Sequence, residues 1–160
     1  MEQTMLDEDL TAFIESPVMQ IVGTTGPVRR PAIGRGVGAW RSRDRGCIDL
    51  ALSSWQWPET IANLRENGRI AVTFSRPSDY VTYQLKGTAA LRPADEEEIE
   101  RSARYIVAIV STLMRLGLAP EIIAPWLTSR DVIVATITVS AVYVQTPGSK
   151  AGTKLRSPDR

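Results

Sequence analysis

The stretch from Thr60 to Pro93 constrains the fold most, because it predicts one helix and two strands in immediate succession. TIANLREN indicates a short helix, and Gly68 follows it where a C-cap glycine is expected. The next segment, RIAVTFS, is nearly continuous in apolar residues, which predicts a strand buried on both faces. After a turn at SRPSD, the segment YVTYQLKGTAAL alternates apolar and polar residues, so one face enters a core and the other presents hydrogen-bonding groups. Gly87 in this second strand predicts a bulge or a close approach of another backbone.

The flanking sequence supplies further strands and helices for this unit. We expect helices over 6–15 and 94–116, a short helix carrying Trp126, and strands over 18–24, 28–40, 47–52 and 131–145. About six short strands with two or three helices predict a mainly β (α+β) domain: a small six-stranded split β-barrel with peripheral helices. A single domain over residues 1–148, followed by a mobile tail over 149–160, suits this length.

Composition excludes several kinds of function. The 160 residues carry a net charge of +1 and contain no histidine, which removes the usual general base and the commonest metal ligand. We therefore expect neither a metal site nor a hydrolase triad. Cys47 is the single cysteine, which suits a reducing compartment. The acidic start MEQTMLDEDL and the ten-residue apolar run YIVAIVSTLM, where a span needs about 20, predict a cytoplasmic protein without a membrane partner.

The segment from Arg29 to Arg45 is the one basic region, with six arginines and one acid. Charge runs are usually solvated strand and turn residues. No aromatic platform is interleaved with these arginines and the overall charge is balanced, so we expect no nucleic-acid partner. Within the segment, Gly34, Gly36 and Gly38 leave one strand face without side chains. That bare face predicts either a bend of the barrel or space for a flat ligand.

Several motifs together resemble the flavin-binding split-barrel family related to pyridoxamine 5'-phosphate oxidase. They are NLRENG at 63–68, AVTF at 71–74 and YQLKG at 83–87, with GTTGPVRRPAIGRGVGAW and VYVQTPGSKAG near the two ends. The resemblance covers about Ser16 to Gly152. It implies a homodimer that binds FMN, or in some branches the deazaflavin F420 or haem, in clefts between subunits. Without a histidine to serve as the usual haem ligand, FMN is favoured, and F420 stays open.

The resemblance also implies where the cofactor binds. The predicted cofactor-binding residues are Arg35, Ser53, Ser54, Thr60, Asn63, Thr82 and Gln84. Arg35 matches the family's arginine that holds the flavin phosphate, and a guanidinium can donate two parallel hydrogen bonds to phosphate. The hydroxyls of Ser53, Ser54 and Thr60 would lie around the phosphate and ribityl chain, or one of them simply caps the following helix. Thr82 and Gln84 would lie near the ring, and Asn63 either joins them or bonds to nearby backbone.

The sequence departs from the oxidase members of the family at two places. Pro58-Glu59-Thr60 stands where they have Ser-Arg-Lys, and the C-terminus has no histidine. We therefore expect no oxidation of pyridoxamine 5'-phosphate, but a flavin reductase acting on a small organic substrate, with no residue identifiable as catalytic. The alternatives are an F420-dependent reductase of the same fold and a non-enzymatic flavin-binding or dimeric interaction module. The apolar surface of helix 94–116 is wider than one sheet face needs, which also predicts a homodimer.

Overall fold

The computed structural model describes residues 5–156 and contains a closed barrel of six antiparallel strands. The strands are β1 Met19–Thr25, β2 Pro31–Arg41, β3 Cys47–Ser53, β4 Arg69–Ser75, β5 Thr82–Pro93 and β6 Val132–Val144. They are hydrogen-bonded in the order β3-β2-β1-β4-β5-β6, and pairing of β3 with β6 closes the barrel. The predicted mainly β split barrel is confirmed.

Four helices surround the barrel, and local sequence explains where they begin and end. They are α1 Glu8–Glu15, α2 Pro58–Asn67, α3 Glu96–Arg115 and the short α4 Pro120–Ile123, which continues as a 3-10 turn over Ala124–Trp126. Asp7 caps α1, and Asp95 with Glu98 forms a reciprocal capping box at the start of α3. Gly68 ends α2 in the left-handed region at φ 68°. α1 and α2 lie at opposite ends of β1, where they close the two ends of the barrel.

Two apolar clusters lie on either side of the barrel wall. The inner cluster fills the barrel with side chains such as Leu50, Val72 and Leu85, all essentially inaccessible to water. The outer cluster lies between the wall and α3, where Ile109 packs with Ala51 of β3 and other outward residues of β2 and β6. α3, together with Ile123 and Leu127 from the segment after it, therefore covers the outside of the barrel at β3 and at the adjoining parts of β2 and β6.

The prediction that RIAVTFS is buried on both faces is wrong. In β4 the inward residues are buried, whereas the outward Ala71, Thr73 and Ser75 remain partly exposed. The strand that is buried on both faces is β3, in which all seven residues are buried. The reason is the position of α3, which packs on the outside of β3 and leaves the outside of β4 uncovered.

The start of β2 also differs from the prediction. The strand begins at Pro31, because Pro27–Arg29 forms a 3-10 turn in which Val28 and Arg29 have φ values of 56° and 60°. Left-handed backbone of this kind cannot continue a strand.

Gly87 does mark a bulge, as predicted. The register between β5 and β6 shifts between Lys86 and Gly87, and a Cβ at Gly87 would collide with the carbonyl oxygen of Thr138.

Past residue 148 the chain returns to the sheet. Lys154–Arg156 forms a short strand, β7, which pairs with β6 at Val142 and Tyr143. The mobility predicted for the tail stays a prediction, and residues 157–160 lie outside the described part of the chain. No helix within residues 5–156 is both long and apolar enough to cross a membrane.

Candidate functional site

The outside of β1, β4 and β5, together with 31–35 of β2 and the end of β6 at Tyr143, is the uncovered half of the barrel, and we call it the open face. A row of outward residues crosses it: Arg35 is paired with Ile21, Ile21 with Thr73, Thr73 with Gln84, and Gln84 with Tyr143. Directly opposite residues of antiparallel strands point to the same side of a sheet, so these five side chains form one transverse row. The structure thereby brings two of the predicted cofactor-binding residues, Arg35 and Gln84, onto one surface.

Arg35 lies at the border between the open face and the half covered by α3. Its guanidinium carbon is 4.9 Å from the centre of the Trp126 ring. Its Nη1 nitrogen is buried and has no hydrogen-bond partner among the described residues. A buried charged donor without an acceptor is costly, so this nitrogen is a candidate to receive an acceptor from a water molecule or a ligand. An anionic ligand is the acceptor that a guanidinium binds best.

Tyr105 contributes to the electrostatic surroundings of Arg35. Its hydroxyl is buried and donates a hydrogen bond of 2.7 Å to the carbonyl oxygen of Val18. Burial raises the pKa of Tyr105, and the positive charge of Arg35 offsets part of that rise. Tyr105 is therefore neutral at physiological pH and does not supply the missing anion.

Thr82 and Gln84 lie on β5, as the alternation of that strand predicts. Gln84 is partly exposed, and its Nε2 donates a 3.2 Å hydrogen bond to the hydroxyl of Thr73. Thr82 is buried, and its hydroxyl contacts that of Ser75 at 2.7 Å and donates to the carbonyl of Tyr80 at 2.8 Å. Gln84 is thus the more accessible of the two side chains.

The two serines at the end of β3 and just after it donate their hydroxyl groups to backbone carbonyls. Ser53 donates to the carbonyl of Arg130 at 2.7 Å and accepts from the amide of Gln56 at 3.1 Å. Ser54 donates to the carbonyl of Asp131 at 2.8 Å. A hydroxyl has one hydrogen to donate, so binding a phosphate through either serine would require it to leave its carbonyl.

Thr60 and Asn63 are buried on the side of α2 that faces the end of the barrel. Asn63 donates a 3.1 Å hydrogen bond to the hydroxyl of Thr24. The Thr60 hydroxyl lies 2.7 Å from the point where a Cβ on Gly34 would stand. Gly34 is thus needed for the close approach of α2 to β2, and the bare strand face at this position is filled by protein side chains.

Thr73 and Trp126 also belong to the site, although the resemblance assigns no role to either. Thr73 is the polar residue inside the apolar run of β4, so its outward position could have been noticed from alternation alone. The contact of Trp126 with Arg35 joins distant parts of the chain, and no local pattern indicates it.

A second polar region, away from the open face, anchors α3. Arg92 bridges two buried carboxylates, with 3.1 Å to Asp49 and 2.5 Å to Glu98. The hydrogen bond from Arg92 lowers the pKa of Glu98, and Thr136 donates to the other oxygen of Asp49 at 2.7 Å. A cavity of about 370 Å³ adjoins this cluster, but none of the predicted cofactor-binding residues line it. Because its acidic groups already have partners, we assign the cluster a structural role.

Comparison with known proteins identifies the fold. No protein-family model and no curated protein matches the sequence. Among solved structures, the chain is similar to HupZ from Group A Streptococcus, with a TM-score of 0.58 and 18% identity over 92% of this chain and 100% of that chain.

Two further structures share the fold. A Lactobacillus delbrueckii protein provisionally described as a pyridoxamine 5'-phosphate oxidase has a TM-score of 0.55 and 11% identity over 90% of this chain and 100% of that chain. An F420 reductase has a TM-score of 0.51 and 11% identity over 86% of this chain and 98% of that chain. The resemblance to the pyridoxamine 5'-phosphate oxidase-like split barrel is confirmed at the level of fold.

Proposed function

We propose that this protein binds FMN across the open face and is a flavin-dependent reductase of a small organic substrate. The observation that carries the proposal is the buried Nη1 of Arg35, which has no acceptor within the described chain. The flavin phosphate would supply that acceptor through a charge-assisted hydrogen bond.

The row of outward residues fits a ligand of elongated shape. Arg35 and Gln84 are separated by three strand spacings, about 14 Å, since neighbouring strands lie about 4.8 Å apart. The phosphate would lie on Arg35 and the ring near Gln84, with the hydroxyl of Thr73 between them. The other predicted contacts are Thr82, Ser53, Ser54, Thr60 and Asn63. Because each of them is buried or already hydrogen-bonded within the chain, they would support the row from around it.

The proposed cofactor site includes a second copy of the chain. Ile21 and Ile33 on the open face are 36% and 65% exposed, and their diagonal position on paired strands makes them a small apolar patch beside the polar row. The outer side of α3 adds Ile99, Val107 and Met114, all exposed. A homodimer that pairs the open faces would bury the two isoleucines and enclose the flavin. Sedimentation at micromolar concentration is expected to show a dimer, and a monomer would contradict a shared site.

The chemistry would come from the cofactor, because a bound flavin supplies hydride or electron transfer. The chain's own residues would fix the phosphate, donate hydrogen bonds to the ring region and exclude water. The likeness to an F420 reductase supports a second candidate, in which F420 takes the place of FMN on the same face.

Ligand titration tests the proposal. Purified protein is expected to bind FMN more tightly than riboflavin, and Arg35→Ala is expected to weaken FMN by about 1.5 to 3 kcal/mol while changing riboflavin little. Arg30→Ala, at an exposed arginine beside the 3-10 turn, is the matched control and should change neither. Equal losses for both flavins would move Arg35 to a structural role.

Two further observations separate the remaining candidates. Bleaching of the bound flavin by NAD(P)H would support a reductase, whereas a protein that takes up neither FMN nor F420 would be an interaction module.

FMN-loaded protein supplied with pyridoxamine 5'-phosphate under air is expected to form no pyridoxal 5'-phosphate. Turnover of about 1 per second or more would overturn that expectation.

A further inference from the structure

Trp126 covers the guanidinium of Arg35 from a segment that is far away in the sequence. This segment, residues 124–131, leads from the 3-10 turn after α4 into β6. The 4.9 Å separation between the guanidinium carbon and the ring centre lies within the range of a cation–π contact. Trp126 thus contacts the side chain whose Nη1 has no acceptor.

Segment 124–131 is held in place by the last residue of β3 and the loop that follows it. Ser53 and Ser54 donate to the carbonyls of Arg130 and Asp131 at 2.7 and 2.8 Å. Gln56 donates through Nε2 to the carbonyl of Pro125 at 2.7 Å. These three bonds fix the chain on both sides of Trp126, so the position of its ring is determined by the loop that carries the predicted cofactor serines.

We propose that Trp126 is a positioning residue for phosphate recognition, which holds the Arg35 guanidinium in its binding orientation before the ligand arrives. A free arginine side chain has many rotamers, and ordering it on binding reduces affinity. A ring on one face of the guanidinium removes most of those rotamers and uses none of its in-plane N–H donors. Ser53 and Ser54 then act on the anion indirectly, through segment 124–131 and Trp126.

A purely structural role for Trp126 makes a different prediction. Its ring also packs against the apolar cluster under α3, so its removal could loosen the fold in general. General loosening would weaken FMN and riboflavin alike. A positioning role acts through Arg35 and would weaken only the ligand that carries a phosphate.

The experiment compares FMN and riboflavin dissociation constants for four variants, and it rests on the proposed FMN site. Trp126→Ala is expected to weaken FMN about 5- to 10-fold, within the range of a partly desolvated cation–π contact, and riboflavin by less than about twofold. Trp126→Phe, which keeps a ring, should recover most of the FMN affinity. In an Arg35→Ala background, Trp126→Ala should produce no further loss.

The outcomes distinguish the two proposals. If wild-type protein prefers FMN and Arg35→Ala removes the preference, but Trp126→Ala leaves it intact, the positioning role is wrong and the FMN site stands. If the wild type binds both flavins equally, the phosphate site and the role of Trp126 are both wrong. Thermal unfolding of each variant checks the fold. If Trp126→Ala does not fold, Trp126→Leu, which stays apolar but has no ring, replaces it in both backgrounds with the same expected loss for FMN alone.

Discussion

The two halves of the barrel wall have similar backbones but different surroundings. On the covered half, α3 lies across β2, β3 and β6, and every residue of β3 is buried. On the open face, β4 buries only its inward residues, and Ile21 of β1 is 36% exposed. The covered half has its hydrophobic partner within the chain. The open face combines exposed apolar residues with a row of polar ones, and nothing in the described chain covers it.

The largest expected effect comes from the same substitution made on each half. Ala51 is fully buried under α3, and Ala71 is partly exposed on the open face. Ala51→Glu should lower the free energy of unfolding by about 3 to 5 kcal/mol, because it buries a charge without a partner. Ala71→Glu should change it by less than about 1 kcal/mol, since the new carboxylate would face Lys86 on the paired strand.

Urea unfolding measures both variants, and equal losses would show that the two halves are not differently covered. Sedimentation of Ala71→Glu sharpens the comparison further. A charge on the proposed subunit face should shift the dimer towards monomer, and an unchanged dimer would place the interface elsewhere, such as on the outer side of α3.

A smaller effect is expected where the N-terminus of α3 is tied to the barrel. Arg92→Met removes the shared partner of Asp49 and Glu98 and should cost about 2 kcal/mol at pH 7. This is below the 3 to 5 kcal/mol of a fully buried pair because Arg92 is 40% exposed. Arg101→Met, which removes an exposed pair with Glu97, should cost less than about 1 kcal/mol.

The cost of Arg92→Met should depend on pH. Arg92 lowers the pKa of Glu98 in the folded protein, so the stability this provides is present above the unfolded pKa of about 4.3 and is lost as pH falls through the folded value. The difference between wild type and variant in urea unfolding should therefore shrink below pH 4. A difference that grows on acidification would contradict this origin.

The smallest effect compares one tyrosine from each half. Tyr105→Phe removes the donor to the buried carbonyl of Val18 and should cost about 1 kcal/mol. Tyr143→Phe should cost no more than about 0.5 kcal/mol, because its hydroxyl makes no hydrogen bond to the described residues and the ring still contacts Lys86. Thermal unfolding provides both values, and a larger loss for Tyr143 would contradict the assignment of its half as uncovered.

Local signals in the sequence predict most of the elements. Gly68 ends α2 through its own left-handed backbone, and Gly87 marks the bulge where a side chain would collide with the carbonyl oxygen of Thr138. Each position is recognisable because it needs a glycine. The covering of β3 instead of β4 could not be predicted, since both strands are apolar and the difference lies in where α3 packs.

For the candidate site, local patterns likewise predict single residues but not how they come together. The outward direction of Gln84 follows from alternation within β5, and the role proposed for Arg35 comes from the resemblance. Their alignment in one row with Thr73 depends on the register of four strands, which no single segment encodes. The sequence places the hydroxyls of Ser53 and Ser54 close before a predicted helix. Their hydrogen bonds to segment 124–131 depend on the folded chain, because that segment is far away in the sequence.

The most direct test of the open face as the cofactor site is a methyl NMR titration of isoleucine-labelled protein with FMN. Ile21 lies in the same row as Arg35 and Gln84, whereas Ile109 is buried under α3 on the covered half. We predict that FMN shifts the methyl resonance of Ile21 and leaves that of Ile109 unchanged. A shift of Ile109 without one of Ile21, at saturating FMN, would contradict the account.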